Sequence, residues 1–148
     1  MKIHVPVKKI REDAKLPYSG SEYSAGYDLY ACTGNGRSVI APHTSCMIGT
    51  GLACAIPEGY FGALFARSGL AAKEGLRPAN CVGVLDSDYR GEIMIALHND
   101  TDSEKCVEDG ERIAQLVVMP YLAVSFAETD ELDETHRGDG GFGHTGKK

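Results

Sequence analysis

The chain has 148 residues, a formal net charge of −6, and 43% hydrophobic and 24% charged residues. A single domain of this length buries roughly 68–70% of its unfolded surface, so it can fold without disulfides or a structural metal. The composition argues against a disordered chain. No apolar run approaches the ~18 residues of a membrane-spanning helix, and an acidic chain is a poor general binder of nucleic acid.

The predicted elements are short and split by turn chemistry. Ile3–Val7 alternates, and Ser38–Ile40 runs into a turn at Pro42. Thr44–Ile48 and Leu52–Ile56 flank Gly49 and Gly51, and Pro57-Glu-Gly59 reads as a turn. Tyr60–Ala66, Ala79–Leu85, Glu92–His98 and Lys105–Val107 follow as strand candidates. Ile113–Met119 is nearly all apolar and reads as a strand buried on both faces. Many short strands broken by Gly, Pro, Asn and Asp point to an all-β barrel or sandwich. Ser68–Glu74 is the one helical candidate, about two turns long.

Residues 128–134 are acidic, and residues 135–148 are polar and hold five glycines. This division gives a β domain over 1–134 and a flexible arm over 135–148. Fully extended, the arm spans at most about 46–50 Å, enough to reach a neighbouring subunit. The five cysteines (Cys32, Cys46, Cys54, Cys81, Cys106) form no C-x-x-C, so neither a disulfide framework nor a zinc ribbon is expected. Met1–Arg11 carries no apolar signal segment, so the thiols are expected to be reduced, mostly buried and cytoplasmic.

Four segments offer chemistry. Arg67-Ser-Gly-Leu-Ala-Ala-Lys73 opens the helical turn, where backbone amides, a guanidinium and the Ser68 hydroxyl suit an anion. Ser68 could equally be only a helix cap. Gly83-Val-Leu-Asp-Ser-Asp-Tyr-Arg-Gly91 is first of all a hairpin turn, yet Asp86, shielded after an apolar strand, suits the deprotonation of a water. Tyr89 could wall a small pocket. Arg137-Gly-Asp-Gly-Gly-Phe-Gly-His-Thr-Gly146 resembles a phosphate cradle without the Lys-Ser/Thr ending of a P-loop, and Phe142 suits stacking on a base. A disordered linker is the plain alternative. Asp28, in Ala25-Gly-Tyr-Asp-Leu-Tyr-Ala31, reads either as a strand-edge turn or as a metal contact through water, because Mg²⁺ keeps much of its hydration shell. The five histidines form no H-E-x-x-H, no H-x-E accompanies a C-x-x-C, and His43 with Cys46 lacks a second ligand pair. A zinc deaminase is thereby excluded.

In order and spacing these segments, with Gly110-Glu-Arg-Ile-Ala-Gln-Leu-Val117, resemble the five motifs of the homotrimeric dUTPase family across residues 25–146. The resemblance implies a jelly-roll-like β fold with one short helix, three subunits with shared sites, and Mg²⁺-dependent hydrolysis of dUTP to dUMP and pyrophosphate. That reaction keeps uracil out of DNA and supplies dUMP for dTMP synthesis. It implies that Asp86 activates the water attacking the α-phosphorus. Tyr89 then lies under the deoxyribose, and Asn80 with the backbone to Gly83 reads uracil. Arg67, Ser68, Gly69 and Gln115 hold the triphosphate and the water, and Asp28 touches the metal through water. Arg137, Gly140, Gly141, Gly143 and Thr145 clamp the γ-phosphate, with Phe142 stacked on uracil. Two positions depart from the pattern: Ala66 replaces the usual Pro, and His144 the usual Ser. An imidazole that donates better when protonated would make substrate binding pH-dependent.

Two rival readings differ in class. A dCTP deaminase of similar fold carries a catalytic glutamate where this chain has Ala96, and Ile93–Leu97 holds no carboxylate. A catalytically silent binding module would leave Asp86 as a turn residue only.

Overall fold

The computed structural model describes residues 3–34 and 36–141, and Met94–Asn99 shows how its strands arise. Ile95, Leu97 and Asn99 are buried, whereas Met94, Ala96 and His98 face outward. That alternation is the period-2 geometry of an extended chain with one wet face. Twelve strands form in this way among the described residues: β1 (Val7–Lys9), β2 (Tyr18–Ser19), β3 (Tyr27–Tyr30), β4 (Arg37–Ile40), β5 (Ser45–Gly49), β6 (Leu52–Cys54), β7 (Tyr60–Phe65), β8 (Leu76–Pro78), β9 (Gly83–Leu85), β10 (Met94–Asn99), β11 (Lys105–Glu108) and β12 (Arg112–Pro120).

Every ladder is antiparallel. The largest sheet has the order β2-β3-β12-β7-β9; β5-β10-β8, β1-β6 and β11-β4 form the others. No closed barrel appears among the described residues. One core collects the inward side chains of all four sheets, including Leu29, Ile40, Ile48, Leu52, Leu97 and Ile113. Burying each such side chain stabilises the fold by roughly 1.5–3 kcal/mol. Asn99 is also fully buried, but its amide donates to the carbonyls of Ile40 (3.0 Å) and Ser103 (2.8 Å), and its oxygen accepts from Thr101 N–H (2.9 Å). A buried amide is tolerated because those bonds replace water.

Several sequence expectations change. Ala79–Leu85 is not one strand: residues 79–82 turn, with Cys81 in a left-handed conformation (φ 61°), and pairing starts at Gly83. The helical segment spans residues 68–74 as expected, but its Leu70–Glu74 part closes as a π-turn ended by Gly75 (φ 66°), whose N–H reaches back to the Leu70 carbonyl. Ser68 lies inside the first turn and no side-chain cap bond forms, so Ser68 is not the cap. In β12 only the first half is buried, and Met119 and Pro120 are exposed. Only Cys32 and Cys54 are buried; Cys46 is half-buried, and Cys81 and Cys106 are exposed. Burial pushes the Cys32 and Cys54 thiols above their ordinary value, helped at Cys32 by the bond it donates to Asp13. After Pro120 the described chain forms no further strand, and residues 122–139 are exposed. No helix among the described residues is long and apolar enough to cross a membrane.

Candidate active site

β12 is the central strand of the five-stranded sheet, and Gln115 lies directly opposite Asp28 on β3. Asp28 therefore sits inside a strand rather than in a turn. The pairing slips by one residue between Arg112 and Ala114, leaving Ile113 as an extra residue. Ile113 and Ala114 are consecutively buried, which is the mark of a bulge. The extra residue re-aims Arg112 toward the face that carries Asp28. There Asp28 Oδ2 accepts from Arg112 (3.1 Å) and Oδ1 accepts from Arg67 Nε (2.8 Å).

Arg67 follows β7, the strand on the other side of β12, and its guanidinium also reaches the Arg112 carbonyl (3.4 Å). The Gln115 amide donates to the Ala66 carbonyl (2.9 Å), fixing the chain just ahead of Arg67. A side chain on Gly26 would run into the Gln115 carboxamide, so this glycine makes its seat. Asp28, Arg67 and Gln115 thus meet at one end of the sheet, with Ser68 and Gly69 exposed beside them. Sequence reasoning missed Arg112 and the role of Gly26, because neither spacing shows contact across the sheet.

The second group lies around β9. Gly83 is buried where a Cβ would meet Leu64 (3.0 Å) and the Asn80 amide (3.4 Å). Asn80 lines a small, partly open cavity of about 110 Å³ with Leu64, Pro78, Met47 and Met94. β9 is an edge strand, so part of its backbone faces away from β7 without a ladder partner. Beyond it, Tyr89 N–H closes a turn onto the Asp86 carbonyl (3.1 Å), and the Arg90 guanidinium donates to the carbonyls of Ser87 (2.6 Å) and Tyr89 (2.8 Å). The Tyr89 hydroxyl donates to the Glu92 carbonyl (2.9 Å). Asp86 is exposed in this chain, not shielded as the sequence suggested, and opens onto a groove of about 1070 Å³ whose walls include Phe61, Val84, Arg90 and Tyr121.

The two groups do not meet within one chain. Leu85 pairs with Gly62, so Asp86 stands level with Phe61, six residues before Arg67. At about 3.3 Å per residue the separation is roughly 20 Å. Arg137 closes a tight turn on itself, its Nε donating to the Gly140 carbonyl (2.8 Å) and Gly138 at φ 54°. Gly141 follows half-buried. Phe142, Gly143, His144 and Thr145 lie outside the described residues.

The donor set tests the metal expectation. Among the described residues the one three-ligand cluster is Asp13, Cys32 and Asp109, which shares nothing with the site. Its buried thiol is a soft ligand unsuited to Mg²⁺. Asp28 offers hard oxygens, and each has a second lone pair beyond its arginine bond. That suits a contact through water to a cation whose other ligands come from phosphates.

A model of the dUTPase family matches residues 12–146. The chain belongs to the dUTPase family. A deoxyuridine 5'-triphosphate nucleotidohydrolase of Hydrogenobaculum is 46% identical over 142 residues, covering 96% of this chain and 97% of the relative. Among solved structures, the Staphylococcus bacteriophage 80alpha dUTPase with dUPNHPP superposes with a TM-score of 0.88 at 29% identity, over 98% of this chain and 99% of that one. A mutant dUTPase from phage phi11 of S. aureus, described for its coordination of a structural Mg(II) ion, gives 0.77 at 25% identity over 87% and 98%. The family places the β sheets in a jelly-roll arrangement, as the sequence resemblance implied.

Proposed function

We infer that this family member hydrolyses dUTP to dUMP and pyrophosphate, by attack of water on the α-phosphorus. The observation that carries the reading is 46% identity, over 96% of the chain, to a named deoxyuridine 5'-triphosphate nucleotidohydrolase. Asp86 accepts the proton of the attacking water, whose oxygen bonds to the α-phosphorus as the pyrophosphate oxygen departs in line. Arg67 donates to the phosphate oxygens on which negative charge gathers, and Asp28 keeps its guanidinium aimed. Gln115, tied to Ala66, retains its carboxamide oxygen to orient water.

Asn80 and the free backbone edge of β9 match the donor–acceptor edge of uracil. A base with the wrong pattern leaves those groups unpaired, a large penalty. Tyr89 closes the sugar pocket against a 2′-hydroxyl. Asp28 would hold Mg²⁺ through water; the bound ion neutralises triphosphate charge that an acidic chain meets with few arginines. Ser68, Gly69, Arg137 and the glycines of the arm complete the phosphate clamp. The arm over 135–148 closes on substrate and excludes water.

The site is shared between copies of a trimer. The roughly 20 Å between Asp86 and Arg67 along one chain exceeds what two side chains span, which favours a neighbour supplying the second group. Leu122, Val124 and Phe126 are exposed at alternate positions (88%, 68% and 97%), a strand pattern uncovered by the described residues of its own chain. That favours the chain beyond β12 reaching across. Free thiols fit a reducing compartment such as the cytoplasm.

A product assay with Mg²⁺ tests the reading. Pyrophosphate is expected from dUTP and not from dCTP, dTTP or UTP, with kcat falling about 10²–10⁴-fold in Asp86→Asn. Ammonia from dCTP, or no turnover, would overturn it. The rival readings find no support: the outward residues of β10 are Met94, Ala96 and His98, none a carboxylate, and the matched relatives are named nucleotidohydrolases.

A further inference from the structure

The segment that carries Asp86 and Tyr89 has no ladder partner between Leu85 and Met94. Its start is fixed by the pairing of Leu85 with Gly62. Its end hangs on Glu92 and Ile93. The Glu92 carboxylate accepts the backbone N–H of Gly51 at 2.7 Å. Gly51 is buried and left-handed (φ 67°) in the turn between β5 and β6. Opposite, Gly49 leaves room for that carboxylate: a Cβ there would stand 3.1 Å from Glu92 Cδ and 3.4 Å from Met94 Sδ.

The next residue is locked as firmly. Ile93 N–H donates to the Leu52 carbonyl (2.7 Å), and its own carbonyl accepts from Thr50 N–H (3.1 Å) and the Thr50 hydroxyl (2.8 Å), with Thr50 fully buried. So the Gly49–Leu52 turn grips residues 92–93. Glu92 passes that grip back to the loop, because its carbonyl receives the Tyr89 hydroxyl (2.9 Å). The Tyr89 ring in turn lies over Gly91, where a Cβ would come within 3.0 Å of ring Cε2.

We infer that Glu92 is a positioning residue for hydrolysis: its carboxylate, seated on the Gly51 amide, sets where the Asp86 turn and the Tyr89 ring stand. The inference rests on the roles given above to Asp86 and Tyr89. Glu92 acts through the loop, by the bonds its carboxylate and carbonyl accept from Gly51 and Tyr89. A displacement of about 1 Å in such a loop can lower a rate on the order of 100-fold.

The test compares Glu92→Gln, whose amide oxygen can still accept the Gly51 N–H, with Glu92→Met, which has similar length and no such acceptor. The Met variant is expected to lose about 10- to 100-fold in kcat, and its preference for dUTP over UTP should shrink about tenfold. The Gln variant should recover both to within about threefold of wild type. Equal losses in the two variants overturn the inference. So does a Met variant whose Tm falls while kcat and preference hold. Should the Met variant not fold, Tyr89→Phe cuts the same link from the other side, and an unchanged dUTP/UTP preference there overturns the inference. Asp86→Asn runs beside them. If it stays active, the reading of Asp86 fails and the inference with it; if it is inactive while the Glu92 variants are silent, only the inference fails.

Discussion

Asp28 is held by two guanidiniums, one on each carboxylate oxygen, Arg67 at 2.8 Å and Arg112 at 3.1 Å, and its side chain is only 17% exposed. Charge-assisted bonds in such partial burial are stronger than surface pairs. Asp28→Ala is therefore expected to lower stability by about 1–3 kcal/mol in urea unfolding and to raise KM for dUTP about tenfold, since Arg67 loses its aim. Raising Mg²⁺ should restore KM only in part, because Arg67 stays without its partner. Full restoration by Mg²⁺ would show that Asp28 serves the cation alone. The sequence offered Asp28 and Arg67 as separate motif residues and gave no role to Arg112, which reaches a partner 84 residues away. Its aim depends on the bulge at Ile113, and a bulge leaves no mark in a run of apolar residues.

At the scale of elements, short apolar runs between turn residues located most strands, and errors cluster where backbone geometry overrides composition. Ala79–Leu85 is apolar enough to be a strand, but Cys81 turns left-handed and hands the pairing to Gly83–Leu85. Lys73, Glu74 and Gly75 end the helical segment with a five-residue closure, which residue propensity does not distinguish from an ordinary turn. Close packing between strands is equally silent in the sequence. Gly62 on β7 faces Val118 on β12 and Leu85 on β9. A Cβ there would meet Ile56 Cδ1 at 2.7 Å, Leu116 Cδ1 at 2.8 Å and Leu85 Cβ at 3.2 Å. Gly62→Ala should cost about 1–3 kcal/mol of stability by overpacking, read as a lower urea midpoint with unchanged slope. A loss below about 0.5 kcal/mol would mean that these side chains move aside freely.

For the whole molecule, the decisive length is the roughly 20 Å that separates Asp86 from Arg67 along one chain. If sites are shared, two inactive variants must rescue each other. Asp86→Asn and Arg67→Ala, unfolded together and refolded as a mixture, should regain activity that neither has alone. Random assembly gives intact sites in roughly a quarter of cases. No regain above the separate variants would confine each site to one chain. The same mixture separates this arrangement from simple stabilisation, because each variant alone keeps its partner copies but lacks one side chain at every site.

The all-β fold class and the single domain were readable from the chain alone, because short apolar runs and turn residues are written locally. Asp86, Tyr89, Arg67, Gln115 and Asp28 were legible as motif residues, and Asn80 came only with the family resemblance. What they face was not. Antiparallel ladders join residues by backbone hydrogen bonds that are the same for every side chain, so register carries no label in the sequence. Folding in three dimensions set Gln115 opposite Asp28, turned Arg112 onto it through a bulge, seated Glu92 on the Gly51 amide, and put Asp86 at the far end of the sheet from Arg67.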